Sequence, residues 1–66
     1  MASNTRGKLK EELEGMHRNF DWLSHHGLKA VKLIGEHKPK LTEALMALVE
    51  QIAVLDKLTQ DIYHNI

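Results

Sequence analysis

The chain has 66 residues, no cysteine, and nine basic against nine acidic side chains. That length accommodates one domain with one small core. The missing thiols exclude disulfides and thiolate metal sites, and the cancelled charge argues against a dedicated nucleic-acid binder, whose affinity comes largely from neutralised phosphates.

Residues 1 to 4 read as a loose end, and Ser3, Asn4 and Thr5 are all competent N-caps, so a first helix is expected over about 5–34. Its apolar positions, Leu9, Leu13, Met16, Phe20, Leu23, Gly27, Ala30 and Ile34, alternate spacings of four and three, the signature of an amphipathic helix packed along one seam. Gly35 suits the position just past a helix end, and Pro39 suits the first turn of the next helix. A turn at about 35–38 follows, short enough to make the two helices antiparallel neighbours.

The second helix, expected over about 39–65, repeats the pattern with Leu41, Leu45, Leu48, Ile52, Leu55, Thr59, Ile62 and Ile66. Folding one run back on the other sets Ile34 against Leu41, Ala30 against Leu45, Gly27 against Leu48, Leu23 against Ile52 and Met16 against Thr59. Small residues then meet larger ones, as close packing requires. Gly27 costs about 1 kcal/mol relative to alanine inside a helix, and close contact between the helices is the reading that justifies it.

The second helix is more apolar than a hairpin needs. Glu43, Glu50, Lys57 and His64 make one narrow polar stripe, while Ala44, Ala47, Val54 and Leu58 flank the seam on one side and Met46, Val49 and Ala53 on the other. One neighbouring helix covers an arc of little more than 100°, so Ala44, Ala47, Val54 and Leu58 are expected in an oligomer interface. The expected fold is all-α: a single-domain two-helix antiparallel hairpin that assembles into a four-helix bundle or larger helical oligomer.

Chemistry is less evident. Catalytic motifs are missing from the sequence, and no enzyme, cofactor or metal centre is expected. His17, Asp21 and His25 are spaced four apart, but the two imidazoles sit about 12 Å apart along a helix axis at about 1.5 Å per residue, so they are read as solvated side chains. Trp22, His26, Lys29 and Leu33 form a stripe beside the seam. Tryptophan is enriched in binding hot spots, which makes this stripe the candidate partner- or ligand-binding site, while packing of Trp22 and Leu33 in the homo-oligomer interface is the leading structural alternative. Arg18, Lys29 and Lys32 lie on an outward arc that suits phosphate contacts, although glutamates dilute it.

In architecture the chain resembles the small homodimeric hairpins of the Rop type, plasmid RNA-binding proteins that form antiparallel four-helix bundles. The expectation is a non-enzymatic oligomeric adaptor, inhibitor or regulator of a protein partner, of the kind a phage or plasmid encodes. An RNA-binding hairpin dimer and a helical oligomer sequestering a small anionic ligand such as a nucleotide are the alternatives. The longest apolar run, Ala44 to Val49, is far short of the roughly 18 residues a bilayer span needs, and the N-terminus lacks the apolar stretch of a signal peptide. A cytoplasmic protein that does not engage membranes is therefore expected.

Overall fold

The computed structural model describes residues 3–66, with side chains from residue 4 onward. Two helices account for nearly all of it: α1, Ser3–Ile34, and α2, Pro39–His64. Residues 1 and 2 of the expected loose end lie outside the described residues, whereas Ser3 and Asn4 belong to α1. That helix therefore begins slightly earlier than its capping residues suggested. Backbone N–H groups of a first turn have no intrahelical partner in any case, so short polar side chains are tolerated there.

The turn follows from two residues. Gly35 adopts a φ of 59°, the left-handed conformation that glycine enters without steric cost, and its N–H donates to the carbonyl of Val31 at 3.1 Å. Pro39 opens α2 after Lys38, whose carbonyl accepts from the N–H groups of Leu41 and Thr42, both at 3.1 Å. The Thr42 hydroxyl donates back to the Gly35 carbonyl at 3.3 Å, tying the new helix to the old one.

The helices pack as an antiparallel pair in a rod of 54 × 15 × 11 Å, with the first turns of α1 reaching past the end of the shorter α2. A rod 11 Å thick is a single layer of helix, and a layer has no second layer to bury its face. Among the described residues, only Leu13, Ile52 and Thr59 are buried outright. The Thr59 hydroxyl is satisfied within its own helix by the Leu55 carbonyl at 2.9 Å.

One row of the expected seam is in place: Leu13, Phe20, Gly27 and Ile34 of α1 meet Leu45, Ile52 and Thr59 of α2 and Ile66 just beyond it, all buried or half-buried. The second row differs. Leu9, Met16 and Leu23, with Leu41, Leu48, Leu55 and Ile62, were expected inside the seam and are instead exposed. Their place is taken by Lys10, Ser24 and Val31 of α1 and Thr42, Val49, Asp56 and Tyr63 of α2, all half-buried, with the more exposed His17 in the same row. Each helix is thus rotated by about 50°, half of the roughly 100° step between residues, from the orientation that would centre its apolar stripe on its neighbour. The register is nearly as expected, with Gly27 opposite Val49 in place of Leu48.

Candidate functional site

The rotation gives the hairpin two unlike faces, because in an antiparallel pair the rows displaced the same way on each helix fall on the same edge. One face carries Leu9, Met16, Leu23, Leu41, Leu48, Leu55 and Ile62 in a strip running most of the length of the rod. Each side chain is about half accessible, with Leu48 at 53% and Leu55 at 48%. The flanking row of α2 adds Ala44 and Leu58, and beyond it lie Ala47 and Val54. All four residues expected in an oligomer interface are exposed and lie beside this strip.

The opposite face is polar at the open end of the hairpin. His17 Nδ1 lies 2.7 and 2.9 Å from the two carboxylate oxygens of Asp56, and Gln60 Nε2 donates to the same carboxylate at 3.2 Å. The Tyr63 hydroxyl donates to Glu14 at 2.9 Å, while the Lys10 ammonium sits 5.2 Å from the centre of the Tyr63 ring, within cation–π range. These contacts join the helices and surround an open groove of about 310 Å³ lined by Leu13, Glu14, His17, Arg18, Thr59, Gln60, Tyr63 and His64. His17, read from sequence as a solvated side chain, is a half-exposed bridge between helices.

The carboxylate of Glu14 accepts a hydrogen bond from the phenol and repels a phenolate, so the Tyr63 hydroxyl is raised above its ordinary value of 10.0. A group whose folded value exceeds its unfolded one contributes stability that is present below the unfolded value and lost as pH rises through the folded one. Thermal melts should therefore lose stability above about pH 10 as the phenol ionises. Tyr63→Phe should lack this alkaline step, and because the chain has one tyrosine, phenolate absorbance follows the same group directly. A wild-type melting temperature flat through the phenolate transition would refute the coupling.

The expected binding stripe lies on the outer flank of α1, next to the apolar strip. Trp22 and His26 stack with ring centroids 5.9 Å apart and planes 25° apart. Trp22 is 63% and Leu33 87% accessible, and Lys29 is exposed between them along the helix. A shallow depression lined by Asp21, Trp22 and His25 opens beside the indole. Of the four expected residues, the structure brings Trp22 and His26 into ring contact and leaves all four open to solvent. Arg18, Lys29 and Lys32 are exposed as well, with the Arg18 guanidinium lying back along its own helix towards Gly15.

Sequence reasoning did not find the cluster of Glu14, His17, Asp56 and Tyr63. The available signal was the register of the hairpin, which sets Tyr63 level with Lys10 and Glu14. No helix among the described residues is long and apolar enough to cross a membrane, and no group of three or more metal-ligating side chains occurs among them. No protein-family model matches the chain, and no curated protein or solved structure is similar enough to it to assign a relative.

Proposed function

We propose that this chain is a non-enzymatic helical interaction protein, which self-associates through its apolar face into a four-helix bundle and acts as an adaptor or inhibitor of a protein partner. The observation that carries the reading is the uncovered strip. An apolar stripe turned by half a row away from its only neighbour is the orientation a helix takes when its core lies between two neighbours, as in a four-helix bundle.

The magnitudes agree. Fully burying a large aliphatic side chain is worth about 1.5–3 kcal/mol. Covering the remaining half of seven such side chains on each of two copies is then worth roughly 10–20 kcal/mol, against an association cost of roughly 4–15 kcal/mol. The polar face, where Lys10, His17, Asp56 and Tyr63 are already engaged, offers no comparable gain. Trp22, His26, Lys29 and Leu33 remain beside the assembly as the surface for a protein partner, since exposed aromatic anchors are characteristic of such sites. The basic residues Arg18 and Lys32 share their row with Glu11, which weakens the case for RNA.

Sedimentation equilibrium at micromolar concentration tests the reading: a mass of two or more chains is expected, with a melting temperature that rises with protein concentration. Trp22→Ala should leave that mass unchanged if the stripe serves a partner. A cooperative melt from a 7.6 kDa monomer would overturn self-association, and a Trp22→Ala chain that dissociates would move the tryptophan into the oligomer interface.

A further inference from the structure

We infer that the apolar face is covered by a second copy of this chain across a two-fold axis perpendicular to the helices, so that α1 packs on α1 of the second copy and α2 on α2. This rests on the self-association proposed above and specifies its geometry. A perpendicular two-fold requires each helix to be complementary to itself when turned end over end, with both helices turning about the same height.

Helix α2 meets the first requirement about a point beside Gln51. Turned end over end, its strip sets Leu48 against Leu55 of the second copy and Leu41 against Ile62. The flanking row sets Ala44 against Leu58, small against large, and brings the two Gln51 side chains together. The outermost row sets Ala47 against Val54 and Lys40 against Asp61, placing opposite charges at the rim of the contact, where such pairs favour one orientation over another. All of these residues are exposed in the hairpin, whereas Leu45, Ile52 and Thr59 of the inner row already face α1.

Helix α1 accepts a centre at Leu23. About it, Met16 falls against the small Ala30 of the second copy. The second requirement selects this centre through the hairpin register. His17 is level with Asp56, so six residues further along α1 Leu23 is level with position 50. Gly27 is level with Val49, so four residues back Leu23 is level with position 53. Leu23 therefore stands at the height of Gln51, and one axis serves both helices.

The chain contains no cysteine, so single cysteines report neighbours cleanly. Leu23→Cys and Gln51→Cys, the second at an exposed polar position where the fold is not at risk, should each form covalent dimers under mild oxidation or with a short bismaleimide. Leu41→Cys alone should stay monomeric on a denaturing gel, yet link when mixed and re-equilibrated with Ile62→Cys. Self-linking of Leu41→Cys as readily as Gln51→Cys would overturn the inference in favour of an axis along the helices. A dimeric mass with neither Leu23→Cys nor Gln51→Cys linking would overturn it as well. A monomeric mass for the unmodified chain would instead remove the self-association on which it rests.

Discussion

Replacing Leu48 and Leu55 together by glutamate is expected to abolish assembly and to unfold much of the helix. In an isolated hairpin the change would matter little. Both side chains are about half accessible, a carboxylate there stays hydrated, and surface substitutions usually fall within about 0.5 kcal/mol of neutral. In the proposed assembly the same positions would lie at the centre of the covered face, on both copies. Four half-covered leucines then forfeit roughly 3–6 kcal/mol of burial, a loss of about 10²–10⁴ in the association constant. Four carboxylates facing one another must also be desolvated. Sedimentation equilibrium and far-ultraviolet circular dichroism should show monomers of reduced helicity, while Lys57→Glu on the outer polar stripe leaves both as they were. A double variant with the mass and melting temperature of the parent chain would mean that the strip is solvated and that the second copy does not lie there.

The same contrast shows what spacing can and cannot reveal. Alternating apolar residues and the pair Gly35 and Pro39 were enough to locate two helices, their turn and a register within one residue of that seen at Gly27 and Val49. The rotation of the helices was not legible. A stripe of Leu9, Met16 and Leu23 beside Leu13 and Phe20 says which rows avoid water, but it does not say whether one neighbour covers both rows or two neighbours take one each. The contacts that fill the opposite row are polar and distant in sequence. His17 and Asp56 are 39 residues apart, Glu14 and Tyr63 49, and each is an unremarkable exposed side chain until the hairpin brings it to its mate. Trp22 was recognisable as an outlier on α1 from its position alone, because a large aromatic outside both apolar rows has no place in the core of the hairpin.

Gly27→Leu is expected to destabilise the protein by about 1–3 kcal/mol, the usual cost of overpacking a fitted contact. Gly27 lies in the middle of α1 with no positive φ, so its use there is not conformational. A β-carbon built on it would come within 2.6 Å of Cγ2 of Val49, closer than carbon atoms approach without something moving. The valine cannot readily yield, since branching at its β-carbon leaves essentially one rotamer in a helix, and the helix backbones must separate instead. Separation would also loosen the nearby contacts of Ile52, one of the few buried side chains among the described residues. Gly27→Ala is the sharper probe, because alanine gains about 1 kcal/mol in helix propensity while meeting the same methyl group. Combining either variant with Val49→Ala removes that methyl and should recover part of the loss, giving a coupling energy in a double-mutant cycle. Thermal and urea melts at one protein concentration measure all four states. A melting temperature for Gly27→Leu equal to or above that of the parent would show that the helices do not meet closely at this level.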